Sequence, residues 1–327
     1  MSAPSHQIVK DPTAKAEFIR QDYIIRDRIT ADGSSGFRAE PGRYHLYVSL
    51  ACPWAHRALI IRHLLGLEDV VSMSVVDPVR DERGWAFHDG PDYSSDPING
   101  FAFLSEAYLA TDPSYSLGYT VPCLWDRQTR RLVSNRFDDI TIDFETQFPS
   151  YQKPGAPDLY PEHLRPEIDA VNEVIYRDVN NGVYRAGFAP TQEAYDEAFD
   201  ALFMRLDWLE ARLSGQRYLV GGQLTEADIR LFPTLVRFDA VYHGHFKCNL
   251  RRLIEYPNLW AYTRDLYQQP GFGDTTNFDH IKRHYYMTHP GINPTRIVPR
   301  GPATDWNAPH GRDRLSLAPA AATTRSE

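Results

Sequence analysis

Residues 47–67, YVSLACPWAHRALIIRHLLGL, predict a strand that turns directly into an amphipathic helix. The residues before Cys52 have the aromatic and apolar character of a strand. Pro53 suits the first helical position because its missing N–H would be unpaired there anyway. Apolar residues then recur at helical spacing through Leu65. We therefore expect Cys52 at the start of a helix.

This position of Cys52 favours an ionised thiol. Free N–H groups and the helix dipole stabilise an anion at a helix start, and such placement lowers a cysteine pKa from about 8.5 toward roughly 3.5–7.5. His56 and Arg57, one turn into the helix, are expected to add positive potential. The alternative is a buried structural cysteine, since free cysteine is among the most buried residue types.

A second thiol is missing from the motif. Thioredoxin-type redox sites carry C-x-x-C, whereas the run that begins at Cys52 ends in Ala55. A disulfide formed at Cys52 therefore has no resolving partner beside it. Either a second small thiol attacks that disulfide, or the site never forms one.

The composition excludes several classes of protein. The 327 residues allow two domains, and the net charge of −8 argues against nucleic-acid binding. Three cysteines without framework spacing favour a reducing compartment. The chain shows no signal-peptide pattern and no apolar run of ~18 residues, so we expect a cytoplasmic protein without a membrane segment.

The order of the predicted elements indicates two domains. Strand, helix, strand, helix, strand, strand and helix fit a thioredoxin-like α/β domain, and a continuous helical rhythm follows a proline-rich linker. The tail is polar, and little fixed structure is expected in its last ten residues. The expected units are an N-terminal arm (1–42), the thioredoxin-like domain (43–148), the linker (149–160), an all-helical domain (161–300) and the tail (301–327).

The second half should contain five helices, at 161–184, 191–214, 225–243, 257–269 and 277–287. The run Thr225-Glu226-Ala227-Asp228 is typical of a capping box. Asp228 is thus expected to cap a helix rather than to act as a catalytic acid.

Two features of the first half point toward the cysteine. Val121-Pro122 resembles the valine–cis-proline element of thioredoxin-like folds, which turns the backbone N–H and C=O of the valine toward a peptide-like ligand. Trp85 stands on a loop after a strand, where it forms either a lid over a pocket or a plug over the core.

Together these features resemble the glutathione transferase fold, and more closely the glutathionyl-hydroquinone reductases, the Xi class of glutathione transferases. The resemblance covers roughly residues 40–300, and several of its motifs are long and specific. The motifs that carry it are GRYHLYVSLACPWAHR (42–57), Gly84-Trp85, Thr120-Val121-Pro122, Asn180-Asn181-Gly182-Val183-Tyr184, LTEADIRLF (224–232), RFDAVYHGHFKCNLRR (237–252) and HIKRHYY (280–286).

The resemblance implies a two-step thiol exchange on an aromatic thioether. The active thiolate attacks the thioether sulfur, the hydroquinone leaves, and a second small thiol releases the mixed disulfide. It also implies a homodimer. The residues it assigns are Cys52 as nucleophile, Trp85 over the bound thiol, Val121 pairing with its backbone, and Tyr184, Tyr242 and Tyr285 near the aromatic ring, with Tyr286 as the alternative to Tyr285.

The sequence departs from the family where the family carries Ser-Asn-Glu-Ser. The Glu and Ser hold the γ-glutamyl group of glutathione, but here these positions are Arg136 and Phe137. Asp138 or Asp139 could compensate by turning inward. The alternative is a different thiol, such as mycothiol, which has no γ-glutamyl group.

Other functions stay open at this level. A conjugating transferase would activate the small thiol instead, usually through a Tyr or Ser hydroxyl, and a transferase-like fold can also serve as a non-enzymatic binding module. A metal site is not expected, because His243 and His245 lie two apart on a predicted helix and point in different directions.

Overall fold

The structure, a computed structural model, describes residues 17–317. Four strands form one mixed sheet in the order β2-β1-β3-β4, in which β1 is parallel to β2 and antiparallel to β3. β3 and β4 form the predicted hairpin, with an irregular register between Leu124 and Trp125. The strands are β1 (Tyr44–Val48), β2 (Val71–Val75), β3 (Cys123–Asp126) and β4 (Arg131–Ser134).

Three helices pack on this sheet and complete the thioredoxin-like half. They are α1 (Pro53–Leu65), α2 (Leu104–Thr111) and α3 (Phe137–Gln147). Helix α1 begins as predicted, with Cys52 at the cap position and Pro53 at the first helical position. It ends at Gly66, whose φ of 70° is left-handed and favours glycine.

The second half is helical, as predicted, but two of its helices are interrupted. The expected helix 161–184 starts with a 3₁₀ turn and widens into a π-turn at Tyr176–Asn180, and the expected helix 225–243 widens at Phe238–Tyr242. Such turns cluster at functional sites. The helices are α4 (Arg165–Ile175), α5 (Gly182–Gly187), α6 (Gln192–Arg212), α7 (Glu226–Arg237), α8 (Pro257–Tyr267) and α9 (Phe278–Thr288).

The π-turn at Tyr176–Asn180 ends in a polar side chain that contacts α7. The Asn180 amide donates to the Arg230 carbonyl at 3.1 Å and to the Thr234 hydroxyl at 2.7 Å, so it faces α7. Helical spacing in the sequence shows the apolar face but not this insertion of a polar side chain.

Asp228 is a structural residue, as predicted. It is buried at the start of α7 and accepts from the backbone N–H groups of Leu219 and Thr225, both at 2.9 Å. The Tyr262 hydroxyl donates to the same carboxylate at 2.8 Å.

The described part of the N-terminal arm lies along the first domain. The Asp27 N–H donates to the Val133 carbonyl and the Asn135 N–H to the Ile25 carbonyl, both at 3.0 Å, so the arm covers the free edge of β4. The predictions for residues 1–16 of the arm and for the last ten residues fall outside the described residues. No helix within 17–317 is long and apolar enough to cross a membrane.

Candidate active site

Cys52 lies at the start of α1, and only 8% of its surface is exposed. Its Sγ lies 3.3 Å from the Val121 carbonyl oxygen, to which the thiol donates. The Val121–Pro122 peptide bond is cis, as the resemblance to thioredoxin-like folds implied. Two chain segments far apart in sequence therefore meet at one sulfur.

The prediction of a lowered thiol pKa is wrong for this structure, because burial raises the pKa of Cys52 above its ordinary value. The backbone N–H groups of Trp54 and Ala55 act in the opposite direction, as a helix start should. The positive charges of Arg237 and Arg20 also favour the thiolate. These contributions are smaller than the effect of burial, so the net shift of the Cys52 pKa is upward.

The expected contribution of His56 and Arg57 to the positive potential is also wrong. Arg57 points toward the second domain, where it donates to Asn180 at 3.0 Å and lies 3.4 Å from Asp138. His56 is fully buried, and burial followed by the charge of Arg237 holds its pKa well below the ordinary value. His56 is therefore neutral.

Arg237, at the end of α7, supplies the positive potential that the sequence analysis expected from His56 and Arg57. It is fully buried, and its guanidinium donates to the Ala51 carbonyl at 3.0 Å and the Leu50 carbonyl at 3.2 Å. These carbonyls belong to the loop immediately before Cys52. One side chain of the helical half thus fixes the loop that carries the sulfur.

The Cys52 side chain faces a cleft of about 540 Å³, open solvent included, which we call the thiol cleft. Both halves of the protein and the N-terminal arm contribute walls. The lining residues are Arg20, Tyr23, Cys52, Pro53, Trp54, Arg80, Trp85, Tyr119, Thr120, Val121, Tyr184, His284, Tyr285 and His289.

Trp85 is buried and forms a wall of the thiol cleft. Its ring stacks on His284 of α9, with 5.0 Å between centroids and 19° between planes. Its backbone carbonyl accepts from the Leu104 N–H at 2.9 Å. Trp85 therefore joins the first domain to α9 beside the sulfur.

Three tyrosines of the helical half meet through their hydroxyl groups. The Tyr285 hydroxyl lies 2.5 Å from that of Tyr184 and 3.0 Å from that of Tyr242. Tyr184 and Tyr285 line the thiol cleft, whereas Tyr242 lies behind them and is fully buried. Burial raises the pKa of all three, so each hydroxyl keeps its proton.

The uncertain register between Tyr285 and Tyr286 is resolved by these contacts. Tyr286 points away from the hydroxyl group of Tyr285, and its own hydroxyl donates to the Ala240 carbonyl at 3.2 Å. Tyr285 is therefore the residue of this pair that faces the thiol cleft.

Arg136, Phe137 and Asp138 line a neighbouring cavity, which shares Arg20 and Tyr23 with the thiol cleft. Phe137 is buried and stacks on the Trp54 ring at 4.6 Å. The Arg136 side chain is 38% exposed.

Asp138 turns inward, as one of the two expected compensating carboxylates. Its carboxylate lies 3.0 Å from the Arg230 guanidinium and 3.4 Å from that of Arg57. Asp139 lies instead beside Arg136, at 3.8 Å, and Arg28, at 3.7 Å. Asp138 therefore already has two cationic partners in the neighbouring cavity, which Asp22, Asp169 and Glu173 also line.

Sequence reasoning missed six residues of the thiol cleft, which include Tyr119 and His289. Arg20 and Tyr23 lie in the arm, for which the sequence predicted only an irregular wrap. Arg80 lies five residues before Trp85 on the same loop, and His284 lies inside the quoted run HIKRHYY. Only His284 could have been found from a motif, because the other five lie in irregular segments whose path the sequence does not show.

The other cysteines are remote from this chemistry. Cys123 and Cys248 are fully buried, all three cysteines are unpaired, and burial raises the pKa of Cys123 and Cys248. Across residues 17–317, no group of three His, Cys, Asp or Glu side chains is placed to hold a metal ion. His245 lies instead 3.0 Å from a ring nitrogen of His289.

We predict that alkylation of Cys52 by iodoacetamide accelerates steadily as the pH rises through about 8.5, because burial disfavours the thiolate. Intact mass against time at several pH values measures the rate. A Cys52→Ser control should gain no adduct, since Cys123 and Cys248 are fully buried. A rate that is already constant above about pH 7 would show that the helix start and the arginines outweigh burial.

Two family models match the chain. The model of the glutathione S-transferase N-terminal domain matches residues 51–147, and that of the C-terminal domain matches residues 192–265. The glutathionyl-hydroquinone reductase PcpF of Sphingobium chlorophenolicum is 52% identical over 287 residues, which cover 88% of this chain and 90% of that protein.

Solved structures agree with this relationship. The glutathione-bound structure of YqjG, a glutathione transferase homologue from Escherichia coli K-12, superposes with a TM-score of 0.86 at 52% identity, covering 88% of this chain and 96% of that one. The glutathione S-transferase Xi from Phanerochaete chrysosporium gives a TM-score of 0.85 at 50% identity, with 88% and 98% covered.

Proposed function

The chain belongs to the glutathionyl-hydroquinone reductases, the Xi class of glutathione transferases, and on this premise we propose that it releases hydroquinones from their glutathione thioethers through Cys52. One observation supports the assignment of Cys52 above all others. Its sulfur shares one cleft with the Tyr184 and Tyr285 hydroxyl groups, while Cys123 and Cys248 are fully buried.

The proposed reaction has two balanced steps. The Cys52 thiolate attacks the thioether sulfur, an S–S bond forms, and the electron pair of the broken carbon–sulfur bond goes to the ring, whose carbon takes a proton. A free glutathione thiolate then attacks the mixed disulfide, which returns Cys52 as a thiolate and releases glutathione disulfide. Overall, glutathione is oxidised and the aromatic ring is reduced to the free hydroquinone.

The tyrosines are proposed to assist the first step. Each keeps its proton at neutral pH, so the Tyr184 and Tyr285 hydroxyl groups can donate to the ring oxygens of the substrate. Such donation stabilises the charge that develops as the ring carbon accepts its proton. Tyr242, which lies behind Tyr285, is proposed as a positioning residue.

The thiolate is proposed to form when the ligand binds. In this structure the Val121 carbonyl accepts the thiol proton of Cys52. A peptide-like ligand that donates its own N–H to this carbonyl removes the acceptor that favours the protonated form. Arg237 and Arg20 already act to lower the pKa of Cys52. Without the acceptor, their charges then contribute a larger share of the total effect on this pKa.

We predict that Cys52→Ser lowers hydroquinone release by more than about a thousandfold, because the hydroxyl cannot form the mixed disulfide. Chromatography of a glutathionyl-hydroquinone incubated with glutathione measures the products, and calorimetry measures binding of the same conjugate. Wild type should yield free hydroquinone and glutathione disulfide. Substantial release by Cys52→Ser would exclude the proposed nucleophile.

The same experiment separates the two alternative functions. A conjugating transferase would consume free quinone and glutathione to form the thioether, and would release no hydroquinone from it. A binding module would retain the conjugate unchanged in both wild type and Cys52→Ser.

We predict that Tyr285→Phe lowers hydroquinone release by about 100-fold, because it removes a donor from the thiol cleft. Tyr286→Phe is the matched control, since its hydroxyl contacts only the Ala240 carbonyl among the described hydrogen bonds. Steady-state kcat/KM on one conjugate compares the two. A larger loss in Tyr286→Phe would reverse the assignment within the pair.

The departure from the family at Arg136 and Phe137 supports a second proposal about the thiol. We propose that mycothiol also serves as the thiol, because its acetylated cysteine has no ammonium that would need a carboxylate at the position of Arg136. The charged residues that line the neighbouring cavity are Arg20, Asp22, Arg26, Arg136, Asp138, Asp169, Glu173 and Arg230. Asp138, which could receive an ammonium group, is already paired with Arg230 and Arg57.

We predict that Arg136→Glu strengthens glutathione as the resetting thiol by about tenfold relative to mycothiol, since it restores a carboxylate for the γ-glutamyl ammonium. Rates of release of the mixed disulfide, followed by intact mass with each thiol, give this ratio. Efficient release of the wild-type disulfide by glutathione, with none by mycothiol, would contradict the second proposal.

The resemblance also supports a homodimer in the cytoplasm, which we include in the proposal. The unpaired state of all three cysteines is compatible with a reducing compartment.

A further inference from the structure

Arg80 is a wall of the thiol cleft with no role in the reaction proposed above. It lies on the irregular connection between β2 and α2, and its Nε is buried without a hydrogen-bond partner. Among the hydrogen bonds and ion pairs of residues 17–317, none involves its side chain. Its identified contact is with the Trp85 ring, whose centroid lies 4.9 Å from the centre of the guanidinium.

This isolation distinguishes Arg80 from the other arginines near the site. Arg237 donates to four acceptors, Arg57 contacts Asp138 and Asn180, and Arg20 donates to Asn181 at 3.1 Å. Burial lowers the pKa of Arg80 to about 10, so the group is still charged at neutral pH. The side chain is partly buried and no anion contacts it within residues 17–317, so an anionic group of a ligand would be a favourable partner.

The position of Arg80 shows which part of the ligand it meets. It lines the thiol cleft together with His284 and Tyr285, but it does not line the neighbouring cavity of Arg136 and Asp138. The Cys52 sulfur, and then the Tyr184 and Tyr285 hydroxyl groups, are close enough to act electrostatically on Arg80. Its guanidinium therefore lies on the side of the cleft where these hydroxyl groups would bind the ring oxygens.

We propose that Arg80 is a specificity-determining residue that binds an anionic oxygen group carried by the aromatic ring, such as a ring carboxylate. This inference rests on the proposed function and names its substrate class: acidic hydroquinone thioethers. The planar guanidinium fork matches a carboxylate in two parallel hydrogen bonds, and Trp85 holds the fork from one side.

Two substrates that differ only in charge test the proposal. The probes are the glutathione thioethers of a dihydroxybenzoate and of the matching dihydroxybenzamide. Wild type should prefer the acid by about 10- to 100-fold in kcat/KM, the range expected for a buried charge-assisted pair. Arg80→Met should abolish most of this preference.

Two further variants control the result. Arg83→Met removes a charge from the same loop, but the Arg83 side chain is 63% exposed and paired with Asp81, so the preference should persist. Arg80→Lys keeps the charge and loses the planar fork, so an intermediate preference is expected. Arg80→Lys also maintains the test if Arg80→Met fails to fold, as judged by circular dichroism.

The carboxylate of the small thiol is the other possible source of an anion. A separate experiment tests it. Glutathione and its glycine amide are compared as resetting thiols in wild type and Arg80→Met. If the variant loses discrimination between these thiols, but keeps the preference for the acidic ring, Arg80 binds the thiol and the proposal is overturned.

The outcomes also separate this proposal from the proposed function. Equal release of hydroquinone from acid and amide by wild type, with the ratio unchanged in Arg80→Met, overturns only the role of Arg80. Release from neither conjugate overturns the reductase assignment, and the role of Arg80 with it.

Discussion

The guanidinium of Arg237 is the interaction on which the site depends. Besides the carbonyls of Leu50 and Ala51, it contacts the Pro233 carbonyl at 2.8 Å and the His56 Nδ1 at 3.0 Å. Because Arg237 can only donate, His56 Nδ1 must accept, and the His56 Nε2–H donates to the Thr275 hydroxyl at 2.9 Å. A single side chain therefore fixes the loop before the thiol, the tautomer of His56 and the docking of the two halves.

The same arrangement sets the electrostatics of the sulfur. The N–H groups of Arg237 donate to backbone carbonyls and to the neutral ring of His56. None of these acceptors is a carboxylate, so they do not neutralise its positive charge. It therefore acts on Cys52, where it opposes the effect of burial on the pKa. The Cys52 thiol is thus buried and yet close to charges that stabilise its anion.

Much of the fold was predictable from the sequence, because apolar periodicity, Pro53, Gly66 and the capping box at Thr225 are local signals. The residues assigned by resemblance, Cys52, Trp85, Val121, Tyr184 and Tyr285, also converge on one cleft. The source of the positive potential was not predictable, since His56 and Arg57 are near Cys52 in sequence while Arg237 is near only in space. Helical spacing also could not show the π-turns, which depend on contacts between helices.

The N-terminal arm contributes two walls of the thiol cleft, although it precedes the first strand. Arg20 lies over the Trp54 ring at 4.6 Å and the Tyr184 ring at 4.9 Å, and Tyr23 meets the Phe137 ring edge-on at 5.4 Å. A shortened protein that began at β1 would lose these two walls, and it would also expose the free edge of β4 and the core that Ile29 and Phe37 cover. The same irregular segment therefore completes both the core of the first domain and the cleft around Cys52.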